Sequence, residues 1–209
     1  TLPVTLDEML YHTRLVARAA ERALVVADMP FGSYQVSEEE AVRNAIRCLK
    51  EAGAHAVKLE GGTAMRSTIE RIVRAEIPVM GHVGLTPQAI HRMGGHRVQG
   101  RSDESARRVI DDALAVQEAG AFAVVLEGMP AELAREVTLR LSIPTIGIGA
   151  GVDCDGQVLV MHDLMGLSEW SPSFAKVYAS LGSLASQAAR SFADEDGNRK
   201  FPDDAHSYR

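Results

Sequence analysis

Short apolar runs alternate with amphipathic stretches along most of the chain, and this alternation sets the architecture. The runs cover residues 23–27, 56–59, 77–80, 121–126, 145–148 and 157–161. They largely lack polar alternation, the pattern of strands buried on both faces as in parallel sheets. Between them the period becomes helical. Ser37 followed by Glu38, Glu39 and Glu40 reads as a helix start, with Ser37 as cap and Glu40 as its reciprocal partner. Ala41, Ala45, Ile46 and Leu49 give that helix an apolar face, and Gly53 ends it. Residues 103–118 behave alike, with Val109, Ile110, Ala113, Leu114 and Val116 periodic and Gly120 closing the element. A further helical stretch starts near Val4.

Two phrases echo each other. Residues 51–60 read Glu-Ala-Gly-Ala-His-Ala-Val-Lys-Leu-Glu, and residues 118–127 read Glu-Ala-Gly-Ala-Phe-Ala-Val-Val-Leu-Glu. Each is a helix end, a glycine stop, a buried strand and then a glutamate. Repeated units of this kind imply a parallel sheet with right-handed crossovers. The chain could close as a barrel or stay open and doubly wound. No run leads into the Gly-x-Gly-x-x-Gly turn of a dinucleotide site. Residues 147–151, Gly-Ile-Gly-Ala-Gly, come nearest but lack the third glycine at the right spacing and a following acid. The expectation is a (β/α)8 TIM-type barrel.

Composition narrows the function. The net charge is −6 over 209 residues, which argues against a nucleic-acid partner and against anionic membranes. No apolar run approaches the roughly 18 residues that span a bilayer. The first residues lack the basic and apolar regions of a signal peptide, so a cytoplasmic location is expected. Cys48 and Cys154 are too few for a disulfide framework or a thiolate zinc site. Cys48 falls on the apolar side of a helix, whereas Cys154 falls in a Gly/Asp-rich loop with no obvious base. Asp153 and Asp155 in that loop lack the rest of a calcium motif.

Barrel chemistry sits where strands end and the following loops begin. Those positions hold Asp28, Lys58 with Glu60, His82 and Glu127. Lys58 and Glu60 are two apart, so on a strand they share a face. Any one such acid is commonly a helix cap or a solvated charge, and Glu60 before Gly61 and Gly62 could cap the next helix. Four successive strands ending in ionisable groups point instead to one functional rim. Hard oxygen donors without thiolates suit Mg²⁺ better than zinc. The remaining histidines show no metal spacing.

The residues that carry these features resemble the ketopantoate hydroxymethyltransferase family. The matching phrases are residues 1–5 (Thr-Leu-Pro-Val-Thr), 27–31 (Ala-Asp-Met-Pro-Phe), 57–62 (Val-Lys-Leu-Glu-Gly-Gly) and 81–88 (Gly-His-Val-Gly-Leu-Thr-Pro-Gln). Residues 94–101, 125–127, 146–151, 155–160 and 201–207 continue the match in the family's order. The resemblance implies a Mg²⁺-dependent (β/α)8 barrel, assembled as a homodecamer, in pantothenate (coenzyme A precursor) biosynthesis. It implies transfer of a one-carbon unit from 5,10-methylenetetrahydrofolate to 3-methyl-2-oxobutanoate, a small 2-oxo acid, giving 2-dehydropantoate through a Mg²⁺-stabilised enolate. By position it makes Asp28 and Glu60 metal ligands, Asp28 and Lys58 substrate contacts, and Glu127 the catalytic base. His82 borders the site as a further substrate contact.

The family carries, ahead of its Thr-Leu-Pro-Val phrase, a helix, two more strands and an Asp-Ser pair that completes the metal and oxo-acid site. Six strand-helix units are visible here, against the eight of a closed barrel of about 250 residues. The expectation is therefore a single barrel domain over residues 1–209, N-terminally incomplete, with the first two units absent from this chain. Two alternatives compete with this reading. Another Mg²⁺-dependent 2-oxo-acid lyase or mutase barrel that works on C–C or C–P bonds is disfavoured by the cysteine-free loop after His82. A catalytically inactive, truncated barrel is disfavoured by the intact set of Lys58, Glu60 and Glu127.

Overall fold

Thr5 starts the first helix with a reciprocal cap. Its hydroxyl accepts the Glu8 N–H at 3.2 Å, and the Glu8 carboxylate accepts the Thr5 N–H at 2.8 Å, opening α1 (Leu6–Ala19). At Ser37 only half of the expected box forms. Its hydroxyl accepts the Glu40 N–H at 3.1 Å, but among the described residues Glu40 returns no bond. One cap is enough to start a helix whose first turn already carries three acids facing the positive end of its dipole.

The computed structural model describes residues 2–209. They fall into two compact units, one ending at Val158 and one spanning Leu159–Arg209. After α1 the first unit runs through β1 (Val26–Asp28), α2 (Glu38–Lys50), β2 (Ala56–Lys58), α3 (Arg66–Val73) and β3 (Val79–Gly84). It continues with α4 (Ile90–Met93), α5 (Asp103–Glu118), β4 (Ala123–Glu127), α6 (Ala131–Arg140), β5 (Thr145–Ile148) and β6 (Gly156–Gln157). All strand pairs are parallel in the order β1-β2-β3-β4-β5-β6, a curled half-barrel. Helix α5 matches its sequence expectation residue for residue.

Only β5 coincides with its apolar run; β2 and β4 shift by one or two residues, and three strands differ more. β1 begins at Val26 rather than at residue 23, because the preceding Val25 N–H is taken by the His55 ring at 3.0 Å. β3 extends well past residue 80, to Gly84, so His82 lies within the strand and not beyond it. Its glycines look like turn signals, yet β4 supplies ladder partners for every residue from Met80 to Gly84. β6 is confined to Gly156–Gln157, since helix α7 (Met161–Met165) claims the end of that apolar run.

Alternation along each strand then separates two faces. Ala27, Val57, Leu59, Val79, Val83, Val124 and Leu126 enter one buried cluster with Ile69, Ile72, Val116 and Val137 of the helices. Burying each such side chain contributes roughly 1.5–3 kcal/mol. Gly81 lies on this helix-facing side, where a Cβ would come within 2.3 Å of a Val116 methyl. Cys48 is fully buried in the same cluster, and Cys154 packs partly buried at its margin. Burial pushes the Cys48 thiol up to about 11, which keeps it unreactive.

The Gly/Asp-rich loop has a structural role through Asp155. Its carboxylate accepts both the N–H (2.8 Å) and the hydroxyl (3.0 Å) of the fully buried Thr145. These bonds hold the carboxyl below its ordinary range. A depressed acid stabilises the fold above its unfolded pKa, and the contribution is lost as pH falls through the folded value. Asp155→Ala is expected to cost about 1 kcal/mol at pH 7, chiefly from the unmet Thr145 donors, because the exposed carboxylate is screened by solvent. Urea unfolding should show the gap closing once the pH drops below the ordinary aspartate value. A gap independent of pH would count against the carboxylate's part.

The second unit contains α7 and α8 (Leu181–Gly197). Leu184 and Phe192 of α8 are exposed, as are Trp170 and Tyr178. No helix among the described residues is long and apolar enough to cross a membrane.

Candidate active site

Register decides which strand residues share the face away from the helices. Asp28 pairs directly with Lys58, and Lys58 pairs with Met80, two residues before His82. His82 pairs with Val125, two residues before Glu127, which itself lies opposite Gly84. Side chains two apart on a strand point the same way, so Asp28, Lys58, His82 and Glu127 form a diagonal across four strands. Gly84 leaves space at the end of this diagonal. Its φ is +92°, and a Cβ there would lie 2.4 Å from the Glu127 carbonyl oxygen. Only glycine meets both conditions without strain.

The four side chains are in contact. The Lys58 ammonium lies 2.9 Å from Asp28 Oδ1 and 3.1 Å from His82 Nδ1. His82 Nε2 lies 3.1 Å from Glu127 Oε2. A charged lysine has only donors, so Nδ1 must be the acceptor, and the imidazole proton then resides on Nε2, facing Glu127. Asp28 Oδ1 and His82 Nε2 are buried, and neither meets its neighbour along the line of a hydrogen bond. Each nonetheless lies within 3.1 Å of an oppositely charged or polar partner, Lys58 and Glu127 respectively. His82 is 3% exposed, with one ring nitrogen toward Lys58 and the other toward Glu127.

Glu60 stands beside this diagonal and is held from another direction. Its Oε2 accepts the Gln88 N–H at 2.9 Å, and its own N–H donates to the Tyr34 hydroxyl at 3.1 Å. Tyr34 in turn donates to Gln88 Oε1 at 2.7 Å, while Gln88 Nε2 donates to the Met29 carbonyl at 2.9 Å. Burial raises the Glu60 carboxyl above the ordinary range, with the Asp28 charge adding to it; His82, the Gln88 N–H and Lys58 act the other way. Burial likewise keeps the Tyr34 hydroxyl protonated far above neutral pH. Sequence periodicity singles out neither Tyr34 nor Gln88, because Tyr34 lies in a loop and Gln88 in a three-residue 3-10 turn, Pro87–Ala89. The one available signal was that Gln88 closes the family-like phrase at residues 81–88.

The donor chemistry fits a hard divalent cation. Asp28 Oδ1 is buried without a hydrogen bond, and burial disfavours the charged Glu60 carboxylate, a cost that a cation would offset. Among the described residues no three His, Cys, Asp or Glu side chains converge as a cage. Mg²⁺ does not require one, since it commonly binds through one or two carboxylates and keeps several waters. A surface depression of about 480 Å³ between α5 and α6 contains none of these residues.

Titratable groups gathered on one face of a parallel sheet, at or near the ends of its strands, are the arrangement that enzymes of the α/β-barrel type use for chemistry. Solved structures agree on the fold. Phosphonopyruvate hydrolase, alone and in a complex with oxalate and Mg²⁺, superposes with a TM-score of 0.56 at 16% identity, covering 99% of this chain and 72% of that one. The chain belongs to the ketopantoate hydroxymethyltransferase family, whose model matches residues 1–204. It is 60% identical over 209 residues to the 3-methyl-2-oxobutanoate hydroxymethyltransferase of Geobacter sulfurreducens, covering all of this chain and 78% of that protein. The enzymes of the same name from Geobacter metallireducens and Pelobacter propionicus are 58% and 59% identical across the whole chain, covering 78% and 77% of their lengths.

Proposed function

We propose that this chain transfers a hydroxymethyl group from 5,10-methylenetetrahydrofolate to 3-methyl-2-oxobutanoate, giving 2-dehydropantoate on the route to pantothenate. The observation that carries this is the contact line Asp28–Lys58–His82–Glu127, whose ionisable groups on one face support a cation and a base acting together on a small anion. Asp28 and Glu60 would hold Mg²⁺. The ion, when bound, would act as a Lewis acid toward the keto oxygen and make the C3 proton removable. Lys58 neutralises the charge that develops on that oxygen as the C3–H bond breaks. Glu127 accepts the C3 proton, with the His82 Nε2 3.1 Å from its carboxylate. The enolate carbon then bonds to the methylene carbon of the folate, and both C–N bonds of that carbon break. Water supplies the hydroxyl, and the two folate nitrogens leave as tetrahydrofolate, carrying the C3 proton and the second proton of the water. Lys58 and the metal also offset the repulsion that Asp28, Glu60 and Glu127 would exert on an oxo acid.

The same proposal includes closure of the sheet. The six strands leave β1 and β6 as edges, and a TIM-type barrel of eight would cover them with two further strand-helix units in the same domain. It includes assembly into a homodecamer, supported by the apolar side chains that the second unit exposes, and a cytoplasmic setting, supported by two free cysteines.

Proton exchange tests the chemistry without the folate. In D₂O with Mg²⁺, the protein should place deuterium at C3 of 3-methyl-2-oxobutanoate, and EDTA should stop it. Exchange that persists at full rate in EDTA, or none with Mg²⁺, would refute the proposed enolisation.

A further inference from the structure

Two loops that share no strand with each other meet at Glu60. One follows β1 and contributes Met29 and Tyr34; the other follows β3 and contributes Gln88. The Gln88 amide spans both, donating to the Met29 carbonyl at 2.9 Å and accepting from the Tyr34 hydroxyl at 2.7 Å. Tyr34, Met29, Gln88 and Glu60 are all more than nine-tenths buried. The bonds form a closed circuit: Glu60 N–H to Tyr34, Tyr34 to the Gln88 side chain, and the Gln88 N–H back to Glu60 Oε2. A buried circuit in which each polar group is satisfied fixes geometry more firmly than its members would separately. Here it fixes both the backbone and one carboxylate oxygen of a single residue.

We infer that Tyr34 and Gln88 are positioning residues that clamp Glu60 in the orientation it uses toward a divalent cation. This rests on the proposal that Glu60 is a metal ligand. A carboxylate with free rotation must be ordered when the ion arrives, whereas a clamped one is ordered beforehand. The clamp also links the loop after β1, which follows Asp28, to the loop after β3, which follows His82. The spacing between the two acids is thereby tied to the loop carrying Gln88.

Titration calorimetry of the full chain with Mg²⁺, without substrate, reads the clamp directly. Tyr34→Phe keeps the ring and removes only the hydroxyl; Gln88→Met keeps the side-chain volume and removes both amide contacts. Each is expected to weaken Mg²⁺ binding about tenfold, as loss of an outer partner does at other metal sites. In turnover, the Mg²⁺ concentration for half-maximal rate should rise in step, with kcat at saturating Mg²⁺ near the wild-type value. A residue that served the fold alone would lower the melting temperature without moving Mg²⁺ affinity. Wild-type affinity in either folded variant therefore overturns the clamp. Glu60→Gln separates the two layers. If it binds Mg²⁺ like the wild type, or if the wild type binds none, the assignment of Glu60 as a ligand falls and the clamp falls with it. If Glu60→Gln loses binding while Tyr34→Phe and Gln88→Met retain it, the clamp alone is wrong.

Discussion

Glu127→Gln is expected to lower both C3 exchange and turnover by about 10³-fold, within the range contributed by a positioned general base. The amide is isosteric with the carboxylate and its oxygen can still face the His82 Nε2–H, which stands 3.1 Å from Oε2 in the native site. It cannot accept a proton at neutral pH, so the loss isolates proton transfer from packing. The half-closed environment favours this clean result, because the Glu127 side chain is only 14% exposed and few waters could substitute for it. Circular dichroism and the melting temperature should stay close to wild type. Unchanged exchange in this variant would move the base to another residue and remove the main support for the roles assigned along the diagonal.

Lys58→Met is expected to lower kcat by about 10²–10³-fold, the scale found when one preorganised stabiliser of a developing oxyanion is removed. The ammonium has two neighbours, Asp28 Oδ1 at 2.9 Å and His82 Nδ1 at 3.1 Å, so its loss is felt twice. The oxo acid loses a counter-charge beside Asp28, and His82 loses the donor that fixes its Nε2–H tautomer toward Glu127. Nitrogen NMR of the His82 ring should therefore show a change of tautomer population in the variant. Lys58→Arg is not expected to restore the rate, because a planar fork with five donors cannot present a compact charge in a space that leaves the lysine 16% exposed. Recovery by arginine would mean that only net charge matters at this position.

The positions of Asp28, Lys58 and Glu127 on the sheet were legible from the sequence because buried charge demands a reason. Asp28, Lys58 and Glu127 stand at the ends of apolar runs, where only pairing or ligand binding offsets desolvation. His82 was legible as a residue but not in its setting. The apolar run stops at residue 80, and the glycines on either side of His82 imitate a turn, so the extension of β3 could not be read locally. It forms because β4 supplies a ladder partner for each residue from Met80 to Gly84. The half-formed cap at Ser37 shows the same limit on a smaller scale. Sequence spacing allows Glu40 to return a bond, but the side chain's final partner is a matter of geometry.

What the sequence determined by itself was the succession of strands and helices, the parallel sheet and the family, and it nominated the five ionisable residues on which the proposed chemistry rests. Hydrophobic period and charge at strand ends are local properties, and they survive being read one residue at a time. The tertiary structure alone decided that Asp28, Lys58, His82 and Glu127 touch in that order, because contact depends on a register that steps by two residues between β2 and β3 and again between β3 and β4. It alone decided that Tyr34 and Gln88 hold Glu60. Their hydrogen bonds join residues 26, 28 and 54 positions apart, and no periodicity along the chain encodes a meeting of loops across a sheet.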